Sequence, residues 1–197
     1  MSENNQKPIF IIGCERSGTT LIRLILHSHP NIALPPQTKF LKKIYKRRLQ
    51  WRNLANEANR IKLSHWFTDH FDNHTKLPDL GLEAGDIRKE IVSSATSLGA
   101  AATGVFKLYS RKFNKPRWGD KRPYYIKYLK QLLALFPDAQ IIHVVRDGRD
   151  CIASLMKMPW WKKDLAYTIL NWQEAIQEGK RANRSLPVEQ FIEIRYE

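Results

Sequence analysis

Three short runs of Ile, Val, Phe and Leu stand out from a mixed chain: PIFIIGC near the start, GVFKLYS in the middle and AQIIHVV further on, with FIEIRY as a fourth at the close. Each has the length and side chains of a buried strand. Between them, TTLIRLILHS, PYYIKYLKQLLALF, DCIASLMK and TILNWQEAIQEGKRA place apolar residues three and four apart, the spacing of a single helix face. Strands alternating with helices predict an α/β fold of three layers, a central parallel sheet flanked by helices. Residues 39–98 break this rhythm, being basic and Trp-bearing at first and polar afterwards, without a strong strand. They read as a helical excursion over the carboxyl edge of the sheet, where open α/β folds bind ligands.

A chain of 197 residues with 43% hydrophobic content can bury one sizeable core, so residues 1–197 are expected to form a single domain. Charge narrows the partner. Lys and Arg number 33 against 19 Asp and Glu, a formal charge of +14 that calls for a nucleotide, an acidic polymer or an anionic surface. Cys14 and Cys151 form no C-x-x-C pair and no metal-ligand cluster, which fits a reducing, cytoplasmic setting. The N-terminal MSENNQKPIF lacks the basic head and apolar stretch of a secretory leader, and no run approaches the roughly 20 apolar residues of a membrane span.

The candidate chemistry begins in FIIGCERSGTTLIRLIL. Gly13 and Gly18 have the G-x-x-x-x-G spacing of a phosphate-binding P-loop, but Thr19 stands where a nucleotide-gripping Lys is expected. A strand that ends at Gly13, a turn CERSG and a helix opening at TTLIRLIL would aim backbone N–H groups and the positive helix end at an anion. Arg16 can supply the missing cation, and Ser17, Thr19 and Thr20 add hydroxyl donors. A second anion site follows the run AQIIHVV, where RDGRDCIAS places Arg146 at a strand tip and Ser154 on the next helix. The alternative for Arg146, Asp147, Arg149 and Asp150 is an exposed salt-bridge cluster of little consequence.

Taken together, these stretches resemble the sulfotransferases that use 3′-phosphoadenosine 5′-phosphosulfate (PAPS), particularly bacterial and tyrosylprotein-type members. The resemblance runs through GCERSGTTLIRLILHSHPNI, RWGDKRPYYI, FPDAQIIHVVRDGRDCIASL and the terminal IEIRYE, four blocks in order. It implies that Arg16, Ser17, Gly18, Thr19 and Thr20 hold the 5′-phosphosulfate of PAPS, and that Arg146 and Ser154 hold its 3′-phosphate. It also implies in-line sulfuryl transfer to a hydroxyl or amine acceptor, without a metal. Arg16 would neutralise the leaving group, and Lys121, in GDKRP, would assist at the sulfonate.

The sequence departs from the family in two places. Related proteins carry a Glu, their general base, where PPQTKF here holds Gln37, and a neutral amide cannot accept a proton. Gln37 is left to orient the acceptor unless another base serves; His27, His29, His65, His70, His74, His143, Glu83 and Asp120 are the available groups. Family members also continue past a strand such as FIEIRYE to a basic, glycine-containing segment, so the domain is expected to be C-terminally incomplete.

Two other functions carry signals of their own. A P-loop kinase or NTPase is disfavoured by Thr19 and by Arg146 preceding the acidic Asp147. A non-catalytic nucleotide- or acidic-polymer-binding protein is favoured by Gln37 and the short C-terminus. The basic stretch bearing Lys42, Lys43, Lys46, Arg47 and Arg48 is most often a solvated face, next an acidic-acceptor contact, and least a nucleic-acid grip. Trp66, Trp118, Trp160 and Trp161 are candidate walls of an acceptor cleft, although core packing is the commoner use of Trp.

Overall fold

The computed structural model describes residues 7–69 and 75–197. Five strands, β1 (Ile9–Gly13), β2 (Ile32–Ala33), β3 (Arg117–Lys121), β4 (Gln140–Val145) and β5 (Phe191–Arg195), lie in the order β2-β3-β1-β4-β5. Every neighbouring pair is parallel, and Ile9 of the central strand faces Gly119 on one side and Gln140 on the other. The chain fills positions on one side of β1 first and then crosses to the other. That change of side leaves a crevice at the carboxyl ends of the strands, the usual ligand position in such sheets.

The alternation of β1 builds the layers. Phe10 and Ile12 point into the larger core, while Ile9 and Ile11 join Ile32, Leu34 and Val144 under Ile22 and Leu26 of helix α1 (Thr19–Ser28). On the larger side Phe10 meets the edges of Trp118 and Tyr125, and Phe106 stacks on Trp118 with centroids 4.9 Å apart. Phe10 is fully buried, so its truncation to Ala would cost about 3–5 kcal/mol. Helices α2 (Phe40–Lys46), α3 (Glu57–Asp69), α4 (Ala84–Ser94) and α5 (Leu98–Lys112) precede β3, with α3 packed on α4 and α4 on α5. A 3₁₀ stretch, Pro123–Tyr128, leads into α6 (Leu129–Leu135); α7 (Gly148–Met156) and α8 (Leu165–Ser185) follow β4.

GVFKLYS is not a strand. It lies inside α5, capped by Ser97, whose hydroxyl accepts from the Ala100 N–H at 3.0 Å. A short apolar run is ambiguous by itself. The buried positions Ala101, Ala102, Val105, Phe106 and Tyr109 fall on one helical stripe that starts in the Ala-rich stretch upstream. The sheet position is taken instead by RWGDK, whose last four residues are all buried although two of them are Asp and Lys. A buried strand with charged residues departs from the hydrophobic pattern, and such departures gather at functional sites.

Candidate active site

Parallel pairing sets the ends of β1 and β4 side by side, with Gly13 opposite Val144. The approach is close: a Cβ on Gly13 would lie 2.5 Å from the Val144 carbonyl oxygen. Beyond Gly13 the loop turns through two left-handed residues, Arg16 at φ 72° and Gly18 at φ 93°. Ser17 closes the turn, since its N–H and its hydroxyl both donate to the Cys14 carbonyl at 3.3 and 2.8 Å. Among the described residues, the N–H groups of Gly18, Thr19 and Thr20 have no acceptor within the protein, and no acidic residue occupies the first turn of α1. Free donors and a positive helix end therefore face the crevice.

The second loop closes on the first through Arg16. The Arg16 Nε donates to Ser154 Oγ at 3.0 Å, and Arg146 Nη1 donates to the Arg16 carbonyl at 3.3 Å. Arg146 also reaches Asp150 at 3.6 Å and lies 4.8 Å from the Tyr196 ring centre, while its buried Nε has no partner among the described residues. Tyr196 covers Gly18 so closely that a Cβ there would come within 2.2 Å of the ring. Two sequence blocks separated by 130 residues thus form one cationic wall.

Residues 8–197 match the model of the sulfotransferase family. The chain belongs to that family. It is 28% identical over its whole length to a protein-tyrosine sulfotransferase of Drosophila melanogaster, and 30% identical over 77% of its length to protein-tyrosine sulfotransferase 1 of Rattus norvegicus. It spans only 36% and 34% of those relatives. Among solved structures, the sulfotransferase domain from the curacin biosynthetic pathway matches 97% of this chain and 67% of its own, with a TM-score of 0.61 at 22% identity, a likeness of fold. The sulfotransferase domain of the Synechococcus PCC 7002 olefin synthase is similar, with a TM-score of 0.62 at 19% identity and the same coverage.

In this sulfotransferase-family chain the third wall comes from β3. Lys121 Nζ donates to Gln37 Oε1 at 3.3 Å. Burial lowers the Lys121 pKa from its ordinary value; Asp120 opposes that shift and Arg23 adds to it. Asp120 is wholly buried and accepts from the Thr38 N–H at 3.3 Å, the Thr38 hydroxyl at 2.6 Å, the Lys121 N–H at 2.8 Å and the Tyr125 hydroxyl at 2.9 Å. Burial raises its pKa against those hydrogen bonds. With both oxygens engaged, Asp120 anchors the segment carrying Gln37 and Thr38 and does not enter the cleft.

The cleft between these walls has a volume of about 740 Å³. Arg16, Lys39, Lys42, Lys121, Arg122 and Arg146 line it, and among the described residues Glu15 is its only lining carboxylate. Burial first, and then the neighbouring charges of Arg122, Lys76 and Lys43, lower the Lys39 pKa, with Asp79 opposing them. Gly18, Thr19, Thr20 and Gln37 line the cleft as well. Ser17 and Ser154 do not: the first is turned inward and the second stands behind Arg16.

None of His27, His29, His65, His143, Glu83 and Asp120 lines the cleft, and His70 and His74 lie outside the described residues, as does MSENNQ at the N-terminus. Of the tryptophans, Trp160 is a cleft wall, Trp161 donates to Thr168 Oγ1 at 2.8 Å, and Trp66 and Trp118 are core. Sequence reasoning missed Glu15, Lys39, Arg122 and Tyr196 as cleft residues. All four sit inside quoted stretches, Glu15 in GCERSG, Lys39 in PPQTKF, Arg122 in RWGDKRPYYI and Tyr196 in IEIRYE, but nothing local to those stretches marks which of their side chains face the cleft. Among the described residues no helix is long and apolar enough to cross a membrane.

Proposed function

We propose that the chain transfers a sulfuryl group from PAPS to a hydroxyl or amine acceptor by in-line displacement. The observation that carries this reading is the convergence of Arg16 and Arg146, from two separated blocks and with Ser154 bonded behind Arg16, on one cleft lined by six cations and one carboxylate among the described residues. A donor bearing phosphates at both its 3′ and 5′ ends matches two linked anion sites better than a nucleoside triphosphate does. The family relationship favours sulfuryl transfer over a P-loop kinase or NTPase.

In the proposed reaction the acceptor oxygen or nitrogen attacks sulfur while the bond from sulfur to the bridging oxygen breaks. The electron pair leaves on the 5′-phosphate of adenosine 3′,5′-bisphosphate. Arg16 and the N–H groups of Gly18, Thr19 and Thr20 meet the charge that develops on the bridging oxygen. Lys121 holds the sulfonate from the opposite wall, and Gln37 orients the acceptor, which loses its proton to water or to a further group. Arg146, supported by Ser154 through Arg16, takes the 3′-phosphate. We place the protein in a reducing, cytoplasmic compartment, a reading supported by two buried free cysteines, Cys14 and Cys151.

Calorimetry with adenosine 3′,5′-bisphosphate against 5′-AMP, with and without magnesium, tests the donor assignment. Metal-independent binding with a clear preference for the bisphosphate supports it; equal binding removes it. Turnover of labelled PAPS over a panel of alcohols, phenols and amines then separates an enzyme from a binding protein.

A further inference from the structure

A second cavity, about 280 Å³, opens beside the cleft between α2 and the Pro123–Leu135 segment. Its floor is apolar and deeply buried, formed by Leu41, Tyr125 and Leu132. Its rim is cationic, with Lys42, Lys46 and Arg48. Among the described residues no acidic side chain lines it and no carboxylate pairs with any of the three cations. Aromatic faces place two of these charges: Lys42 Nζ lies 4.2 Å from the Tyr128 ring centre and 4.6 Å from that of Tyr124, and the Arg48 guanidinium lies 4.7 Å from that of Tyr45. Lys42 lines both this cavity and the cleft, so it forms part of the wall between them.

An apolar floor excludes a bare inorganic anion, which would leave hydrocarbon facing water. An uncompensated cationic rim disfavours a neutral or positive ligand. The volume is nearly twice the roughly 150 Å³ that accommodates benzene in an engineered protein cavity, enough for a fused bicyclic body. We propose that this cavity is a separate binding site for an amphipathic organic anion, with a flat apolar body on Leu41, Tyr125 and Leu132 and a carboxylate at Lys42, Lys46 and Arg48. The site stands apart from the sulfuryl-transfer reading, since no residue of the 13–20 loop and neither Arg146 nor Ser154 lines it.

Calorimetric titration of the full chain with 2-naphthoate, 2-naphthamide and 2-naphthylmethylamine tests the proposal, with and without saturating adenosine 3′,5′-bisphosphate. The naphthoate should bind one per chain, at least about tenfold tighter than the amide, as expected for a charge-assisted contact. The amine should not bind, and the bisphosphate should not displace the naphthoate. Lys46 and Arg48 are exposed, so a Lys46→Ala, Arg48→Ala variant keeps its fold and should bind naphthoate and amide alike. Gln131 is half-buried at the rim, and Gln131→Trp should block the cavity. No naphthoate binding, binding indifferent to both variants, or displacement by the bisphosphate overturns the assignment, the last by placing the ligand in the cleft.

Discussion

Lys121 and Gln37 join β3 to the segment before α2 by one hydrogen bond, Nζ to Oε1 at 3.3 Å, on the wall of the cationic cleft. The amide occupies the position where a carboxylate would form an ion pair with a buried lysine. Gln37→Glu should therefore raise sulfuryl transfer to an aliphatic alcohol, by about tenfold or more if the new group serves as a base. The gain should disappear at acidic pH as the carboxylate is protonated, and should be smaller for a phenol, whose proton leaves more readily. Initial rates against pH in both variants check this; no gain on any acceptor, with PAPS binding intact, removes position 37 as a base site.

Lys121 itself should matter through its charge. Burial holds its pKa below the ordinary lysine value, so the ammonium form is lost at lower pH than for a free lysine. Lys121→Ala should lower kcat by on the order of 10²-fold, in the range found for removing one oxyanion donor. Wild-type turnover should fall on the alkaline side before pH reaches about 10.4, the ordinary lysine value. A wild-type rate still flat at that pH would take Lys121 out of the charged role.

Arg146→Ala removes a guanidinium whose Nε lies buried without a partner among the described residues. The preference for adenosine 3′,5′-bisphosphate over 5′-AMP should shrink by about one to two decades, the equivalent of losing a charge-assisted contact of roughly 1.5–3 kcal/mol. Calorimetry on both nucleotides measures it. An unchanged ratio would assign the 3′-phosphate elsewhere.

Arg16→Ala separates binding from chemistry. If Arg16 meets charge that grows only in the transition state, kcat should drop by more than bisphosphate affinity does. Steady-state kinetics beside calorimetry gives the two losses. Equal losses would make Arg16 a ground-state contact that also steadies Ser154.

His143 offers a test of the scaffold away from the cleft. Its ring is fully buried, with Nδ1 3.0 Å from Glu193 Oε2 on β5; burial lowers its pKa, and Glu193 only partly restores it. Because the folded pKa lies below the unfolded value near 6.5, the unfolded chain binds more protons between the two. Stability should therefore decline as pH falls below about 6.5 and continue to decline towards the folded pKa. Thermal melts from pH 8 to pH 5 should show this slope in the wild type and a shallower one in His143→Asn. Gly179→Ala should also destabilise, by about 1–3 kcal/mol, since its Cβ would lie 2.1 Å from the His143 ring.

The layered α/β architecture, the strand-turn-helix loop after Gly13 and the Arg146 turn were legible in the chain because they rest on local rules: hydrophobic period, a strand running into glycine, and a helix start. GVFKLYS misled because a run this short, with four apolar side chains, satisfies strand and helix alike, and only the stripe from Ala101 to Tyr109, packed on β3, decides between them. RWGDK hid for the opposite reason. Its charged residues become tolerable in a buried strand only when Thr38, 82 positions away, and Tyr125 close around Asp120, and when Gln37 accepts from Lys121. The cleft membership of Glu15, Lys39, Arg122 and Tyr196, and the inward turn of Ser17, likewise depend on which carboxyl ends the sheet order brings together. Periodicity can report which face of an element is buried, whereas the partner that makes a buried charge affordable is set by contacts between segments far apart in the chain.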